Sequence, residues 1–152
     1  MSNQKVVGPM GIVDVNNFSN RQGIEDYDLP SRGLCYKDAQ GNLLFPDGKI
    51  QISPMTVAEE KMLASNAAGD GSKKLAGLID RTCDLKGMFA KDLLIQDVHA
   101  LLYAIRSASY GNVYPFEYEC PECSHKAKHA LNLDEHPVTY APDGFQDMVE
   151  IE

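Results

Sequence analysis

Two cysteines separated by only two residues lie between two strand-like stretches of the sequence. The cysteines are Cys120 and Cys123, and the flanking stretches are 114–119 and 126–133. Two thiolates at this spacing in a turn can hold one tetrahedral Zn²⁺, with Zn–S bonds of about 2.3 Å. The pattern therefore predicts a β-hairpin with a structural zinc knuckle at its tip.

A structural zinc site needs four ligands, and this motif supplies two of them. No second Cys-x-x-Cys pair occurs in the sequence, so the hairpin resembles only half of a zinc ribbon. The remaining candidate ligands, in order of preference, are Cys83, His125, Cys35 and His129. Cys83 lies on an apolar helical stripe, where burial of a reduced thiol in the core is an equally good interpretation.

The cysteine pair has two other interpretations. It can be an ordinary reduced pair, since four cysteines in 152 residues are typical of a cytosolic protein. It can also be the redox centre of a thiol oxidoreductase, which requires a depressed thiol pKa. The redox interpretation is weaker because no strand–helix unit places Cys120 at a helix N-terminus. The zinc is expected to be structural and not catalytic, since no open coordination position is implied.

Three helices are predicted before the hairpin. Thr56 and Glu59 form a capping box at the start of the first helix. Ser72 is the predicted N-cap of the second helix, and Gly111 ends the third. The apolar stripe of the second helix consists of Leu75, Leu78, Ile79 and Cys83. The apolar stripe of the third helix consists of Leu94, Val98, Leu101, Leu102, Ile105 and Ala108.

The region before the helices predicts a short β-hairpin. Residues 43–45 and 50–52 are the predicted strands, and Asp47 and Gly48 form the turn between them. Residues 33–37 are a candidate third strand, joined through a turn at 39–42. With the three helices and the zinc-knuckle hairpin, this predicts an α+β body over residues 29–133.

The N-terminal residues have no regular pattern. Residues 1–28 scatter Val, Ile and Phe among Asn, Gly, Ser and Asp, with neither a helical period nor sustained alternation. Because a loop of this length inside a compact domain is uncommon, we expect an extended arm that orders against a partner or along the body. Deleting residues 1–28 should leave a folded body but abolish partner binding.

The charge distribution excludes several classes of function. The formal net charge is −8, and residues 134–152 form an acidic tail with six acids and neither lysine nor arginine. The nearly neutral body has no clustered basic face, so nucleic-acid binding is not expected. No apolar run of about 18 residues predicts a membrane helix, and the first residues lack the layout of a secretory signal. Nucleophile elbows, phosphate loops and dinucleotide-binding glycine patterns are also absent, so no enzymatic activity is expected.

Two charged residues of the third helix are candidate contacts with a partner. Asp97 lies in the first turn, where a carboxylate complements the helix dipole, and this structural role is favoured over partner binding. Arg106 can pair with an acid of this chain or of a neighbouring protein.

Five short motifs between positions 29 and 134 carry a resemblance to a known family. They are Leu29-Pro30-Ser31-Arg32-Gly33, Pro54-Met55-Thr56-Val57-Ala58-Glu59-Glu60, the stretch from Leu93 to Asp97, Leu101-Leu102-Tyr103-Ala104-Ile105-Arg106 with Ser109-Tyr110-Gly111, and Cys120-Pro121-Glu122-Cys123. In this order they resemble the T-even phage baseplate hub assembly family, the small tail proteins of contractile phages. The chain has Ser124 where members of that family commonly have Gly.

The resemblance implies a non-enzymatic protein of the virion tail baseplate, assembled in the host cytoplasm. Its implied partners are other baseplate or tail hub proteins in a symmetric multi-subunit assembly, with neither nucleic acid nor membrane. We expect the contacts on the arm, on residues 29–33 and on the acidic tail, with Asp97 and Arg106 as further candidates. The alternative is a zinc-ribbon-type adaptor of a cellular protein or nucleic-acid complex.

Overall fold

The computed structural model describes residues 5–8, 11–14, 18, 21–65 and 70–146. These residues form three α-helices and three two-stranded antiparallel sheets, which confirms the predicted α+β class. In chain order the elements are β1 (Lys5–Gly8), β2 (Gly11–Asp14), β3 (Glu25–Asp28), β4 (Lys49–Ile52), α1 (Val57–Ala64), α2 (Gly71–Thr82), α3 (Ile95–Tyr110), β5 (Val113–Glu119) and β6 (Lys126–Asn132). Short 3₁₀ turns occur at Ala90–Asp92 and Leu133–Glu135.

Strand β4 connects the sheet formed with β3 to the helical core. Its side chains alternate as predicted, with Ile50 and Ile52 buried and the two residues between and before them exposed. Beyond the strand, the amide of Ser53 donates to the carbonyl oxygen of Thr82 at 2.8 Å, and Ile52 makes a β-bridge with Cys83. The end of α2 is therefore fixed against the edge of the sheet.

The partner of β4 was predicted wrongly. Residues 43–45 were the expected partner, but β4 pairs with β3, so that Glu25 lies opposite Ile52. The reason is the turn at 45–48, where the amide of Gly48 donates to the carbonyl oxygen of Phe45 at 3.0 Å. The carbonyl oxygen of Gly48 then accepts the amide of Leu29 at 2.9 Å, which directs β4 toward the chain before position 29.

The predicted third strand at 33–37 is also wrong. These residues form consecutive turns, and within them Lys37 makes an isolated antiparallel bridge with Leu43. The expected turn at 39–42 does connect these two residues. The amide of Asp38 closes it by donating to the carbonyl oxygen of Asn42 at 2.9 Å.

Helices α1 and α2 begin close to their predicted positions. The capping box of α1 is confirmed, since the amide of Thr56 donates to Oε2 of Glu59 at 2.8 Å. The N-cap of α2 is Asp70 and not Ser72, because the amide of Ser72 donates at 3.0 Å to the carboxylate of Asp70. Leu75, expected in the buried stripe, is 41% exposed.

Helix α3 passes through the centre of the core. Leu101 and Ile105 are fully buried, as predicted, and they pack in one cluster with Leu29, Ile50 and Ile79. Gly111 ends the helix with a φ of 84°, and its amide donates to the carbonyl oxygen of Ser107 at 2.8 Å.

The predicted arm contains strands. Strands β1 and β2 pair with each other, whereas β3 pairs with the body. Residues 1–4, 9–10, 15–17 and 19–20 of the predicted arm, and residues 147–152 of the predicted acidic tail, lie outside the described residues.

Candidate functional site

The Cys120–Cys123 motif lies at the tip of the β5–β6 hairpin, as predicted. The ladder runs from Val113 opposite Asn132 to Glu119 opposite Lys126. Backbone pairing extends one residue beyond this ladder toward the tip, where the amide of Cys120 donates to the carbonyl oxygen of His125 at 2.9 Å.

A tight turn brings the two cysteines together at this tip. The amide of Ser124 donates to the carbonyl oxygen of Cys120 at 2.9 Å, and Ser124 has a φ of 57°. This is the left-handed region, which favours glycine. The turn therefore gives a physical reason why glycine suits this position.

Backbone amides surround the first thiol. The amide of Cys123, followed by that of Glu122, donates to the sulfur of Cys120 and lowers the pKa of its thiol. Cys123 itself is exposed and Cys120 is half-buried. Cys120 follows the end of β5 and does not begin a helix, which argues against a redox centre, whereas the lowered thiol pKa is a property that a redox centre and a metal ligand share.

The tip supplies two of the donors that a structural zinc requires. In the parts of the chain that the structure describes, no three side chains of His, Cys, Asp or Glu form a group that could hold a metal ion. The two thiols fit one half of a tetrahedral sulfur site, which needs four donors.

The other predicted ligands lie in different surroundings. Cys83 is 4% exposed within the core cluster, and burial raises the pKa of its thiol to about 12. This supports the core-packing interpretation of Cys83. Cys35 is half-buried in the turns of residues 33–37, and His125 is exposed just after the tip. The ring of His129 stacks on Phe116 with centroids 5.6 Å apart.

One face of the hairpin is aromatic and exposed. Tyr114, Phe116 and Tyr118 alternate along β5 and lie opposite residues 131, 129 and 127 of β6. Their exposed fractions are 44%, 41% and 52%, and the rings of Tyr114 and Phe116 stack with centroids 6.3 Å apart. We call this surface, with Leu131 and His129 on β6, the aromatic face. The sequence predicted strand β5 but not this face, although the alternation of aromatic residues along the strand was the signal for it.

The opposite face of the hairpin carries two ion pairs. Lys128 Nζ lies 3.3 Å from the carboxylate of Glu117, and Lys126 Nζ lies 3.5 Å from that of Glu119. All four side chains are exposed, so this face is suited to water. The two faces thus differ sharply in chemistry.

Helix α3 fixes the base of the hairpin. The guanidinium of Arg106 lies 4.7 Å from the ring centroid of Tyr110 and 5.4 Å from that of Tyr114. The amide of Leu133 donates to the carbonyl oxygen of Asn112 at 2.9 Å. Arg106 therefore contacts aromatic rings of its own chain.

The predicted contact segment 29–33 is largely buried. Leu29, Pro30, Ser31 and Gly33 are all buried, whereas Arg32 is exposed. A Cβ on Gly33 would lie 2.8 Å from the Cβ of Phe45, and its φ is 68°, so this position requires glycine. Four of the five residues thus have an internal packing role.

Asp97 holds this segment from inside the protein. Its carboxylate is fully buried and accepts the amide of Ser31 at 2.9 Å, the hydroxyl of Ser31 at 2.5 Å and the hydroxyl of Tyr36 at 2.5 Å. Burial, together with this contact, raises the pKa of Tyr36. Asp97 is thus buried and bonded within its own chain, through side-chain and amide hydrogen bonds that the sequence did not predict.

The C-terminal tail lies against the same segment. The amide of Ala141 donates to the carbonyl oxygen of Pro30 at 2.8 Å, and Arg32 pairs with Asp143 at 2.6 Å. A cleft of about 490 Å³ lies between them, with Tyr140 and Pro46 in its lining. Segment 29–33 and the acidic tail, which the sequence predicted as separate contact surfaces, therefore lie next to each other.

A family model for the T4 bacteriophage base plate protein matches residues 40–151. The chain belongs to this family. The match includes β4, all three helices and the β5–β6 hairpin, and it excludes residues 29–33. Comparison with curated proteins and with solved structures found no match.

Membership makes this a T4-type phage baseplate protein, and its partners are other proteins of the baseplate in the virion tail. It confirms the predicted resemblance at this level and decides against the cellular adaptor. Among the described residues, no helix of this baseplate protein is long and apolar enough to span a membrane.

Proposed function

We propose that this baseplate protein acts in the central hub of the baseplate, as a structural component or an assembly protein. It acts through protein–protein contacts and not through catalysis, in a symmetric multi-subunit assembly. The assembly takes place in the host cytoplasm, before the tail is complete.

The aromatic face of the hairpin is the observation that carries this proposal. A two-stranded hairpin alone is at best marginally stable in water, and each residue of β5 is exposed here. Large exposed apolar surface with a polar rim is typical of protein–protein contact sites. The three aromatic side chains are the kind of anchor that dominates binding energy at such sites.

We also propose a structural zinc at Cys120 and Cys123, which would stiffen the tip of this hairpin. The two thiols would hold the metal, which when bound supplies a crosslink between the ends of β5 and β6. The amides directed at Cys120 and the left-handed Ser124 favour a tip that is already shaped for a metal. Such a metal couples to folding of the segment that binds it.

Arg32 and the tail are the second proposed contact surface. Arg32 is the exposed residue of segment 29–33, and its partner Asp143 is 95% exposed in its side chain. Exposed ion pairs contribute about 0–1 kcal/mol, so this pair can exchange for contacts with another protein at little cost in stability.

Complementation tests the proposed function. A phage whose copy of this gene carries an early stop codon should produce heads without complete tails, and plasmid-encoded wild-type chain should restore plaques. The variant Phe116→Ser should fail to restore them, because it removes an anchor of the aromatic face. Glu117→Gln changes the neighbouring residue on the opposite face and should complement normally.

The stop-codon phage also provides the outcome that contradicts the proposal. Normal numbers of contractile-tailed particles without the chain would exclude a role in hub assembly. The circular dichroism and thermal unfolding of purified Phe116→Ser protein should match those of the wild type, since Phe116 lies outside the core cluster. This control separates a lost contact from a lost fold.

A further inference from the structure

The hairpin tip has a donor set that one chain leaves incomplete. A structural zinc takes four ligands, and the tip offers the sulfurs of Cys120 and Cys123. No third His, Cys, Asp or Glu joins them within the described residues. Cys83, the preferred third ligand from the sequence, lies in the core cluster instead. Within the part of the chain that the structure describes, the two further donors of a four-coordinate metal are therefore missing.

The tip is open to another chain. Cys123 is exposed, and its neighbours Pro121, Glu122, Ser124 and His125 are exposed as well. The sheet formed by β5 and β6 consists of these two strands, so the hairpin carries its tip away from the core cluster formed by the helices and β4. A partner can reach both sulfurs without displacing any element of the body.

A second copy of the same chain supplies the missing donors most simply. Most protein oligomers are closed and symmetric, and a twofold axis through the metal would add an identical pair of sulfurs to the first. Two pairs make the tetrahedral four-sulfur set that zinc prefers at structural sites. No other ligand chemistry has to be assumed.

The charge of the hairpin permits this approach. The chain carries a net charge of −8, but residues 113–132 contain three glutamates and two lysines, so the hairpin is close to neutral. Four of these five side chains are paired in the ion pairs of the opposite face. Repulsion between two tips is therefore small, and the aromatic face of each copy lies next to the joined tips.

We propose that two copies of this chain share one zinc ion through Cys120 and Cys123 of each hairpin. The proposal rests on the structural zinc proposed above and names its completing partner. Zinc bridges two baseplate proteins in this arrangement.

Zinc stoichiometry and mass test the proposal together. The full-length chain is purified without metal, titrated with ZnCl₂ and measured by native mass spectrometry and light scattering. We expect the mass to double at one zinc per two chains, and a chelator to return it to the single-chain value. Two differently tagged copies should co-purify with zinc and separate when the chelator is added.

Matched cysteine variants locate the site. Cys120→Ser and Cys123→Ser should each abolish the zinc-dependent doubling of mass. Cys35→Ser should retain it, because Cys35 lies in the turns of residues 33–37 and not on the hairpin. Cobalt in place of zinc should give the intense thiolate charge-transfer absorption of a four-sulfur site in the dimer.

Each other outcome overturns the proposal. One zinc per chain without a change of mass would refute sharing, while leaving the zinc itself in place. Absence of zinc binding would refute both the shared site and the structural zinc. A dimer that forms equally without metal, or in both serine variants, would also refute the bridge. The complementation experiment tests the baseplate role independently of all three results.

Discussion

Asp97 shows how a single buried carboxylate organises the centre of this protein. Its two oxygens accept three hydrogen bonds, which come from Ser31 and Tyr36, more than 60 residues earlier in the chain. Tyr36 in turn accepts the amide of Leu94 at 3.0 Å, just before α3 begins. The network therefore joins the loop between β3 and β4 to the first turn of the central helix.

Replacing Asp97 by alanine should strongly destabilise the fold. Hydrogen bonds to a charged group contribute more than neutral ones, and loss of the acceptor leaves buried donors unpaired. We expect Asp97→Ala to lower the free energy of unfolding by about 3 kcal/mol, measured by urea denaturation. Gln96→Ala, at the exposed neighbouring position of α3, should change it by less than about 0.5 kcal/mol. Equal stability of both variants would contradict the assigned role of Asp97.

Glu59 makes the stability of the protein sensitive to acid. It is 3% exposed, and Arg21 lies 2.7 Å from its carboxylate. Burial alone would raise the pKa of Glu59, but hydrogen bonds from Thr56 and the charge of Arg21 outweigh it, so the pKa is below the ordinary 4.5. A lowered pKa adds stability above the ordinary value and loses it as the pH falls through the folded value.

The free energy of unfolding should therefore decrease as the pH falls from the ordinary value of 4.5 through the lower pKa of folded Glu59. The variant Glu59→Gln should be less stable at neutral pH and should show a shallower decrease over this range. Glu25→Gln, at an exposed position, should follow the wild-type profile. Parallel profiles for the wild type and Glu59→Gln would show that this ion pair does not couple stability to pH.

Local sequence predicted the short-range one of these residue contacts and missed the long-range ones. The Thr56–Glu59 capping box was predictable because both partners lie within one helical turn. The Arg21–Glu59 pair spans 38 residues, and the contacts of Asp97 span 61 and 66 residues. Spacing along the chain carries no signal for such pairs, so Asp97 was assigned to the helix dipole, with partner binding as the alternative.

At the scale of elements, the sequence predicted two hairpins, and short-range pairing was again predicted correctly whereas long-range pairing was not. The β5–β6 hairpin was predicted within one residue at each end, because its strands and its turn are consecutive. The partner predicted for β4 was wrong. The true partner is β3, which is separated from β4 by the 20-residue loop that Asp97 holds. Burial of Phe45 and the turn at Gly48 decide that pairing.

Deletions from the N-terminus should reveal where the body begins. Removing residues 2–20 takes away β1 and β2, which pair with each other, and should leave the cooperative thermal unfolding of the remainder nearly unchanged. Removing residues 2–28 also takes away β3 and Arg21, which contact β4 and Glu59. We expect this longer deletion to lower the melting temperature by many degrees, measured by circular dichroism. Equal melting of both truncated chains would place the boundary at position 29, as the sequence suggested.

Thiol reactivity should distinguish the hairpin tip from the core. With iodoacetamide at neutral pH, Cys120 and Cys123 should react readily once a chelator is present and should be protected when zinc is bound. Cys83 should stay unmodified under both conditions, because it is 4% exposed and its thiol pKa is raised to about 12. Peptide mass spectrometry measures each site. Modification of Cys83 in the native protein would contradict its place in the core.

At the scale of the whole molecule, the core carries the two proposed contact surfaces, which differ in chemistry. The core cluster joins α2, α3 and β4, and the family match covers all three of these elements. The aromatic face lies on the β5–β6 hairpin, whereas Arg32, paired with Asp143 of the acidic tail, lies on the loop between β3 and β4. Two surfaces on different parts of the chain suit a protein that connects neighbouring proteins in a baseplate.

Fractionation of infected cells tests this account most directly. Lysate from a phage that encodes the chain is separated on a density gradient, and each fraction is analysed by quantitative mass spectrometry. We predict a fixed ratio of this chain to the central hub proteins in baseplate-sized intermediates, with or without retention in finished particles. Recovery of the chain only in the unassembled fractions, at every time of infection, would contradict a role in building the baseplate.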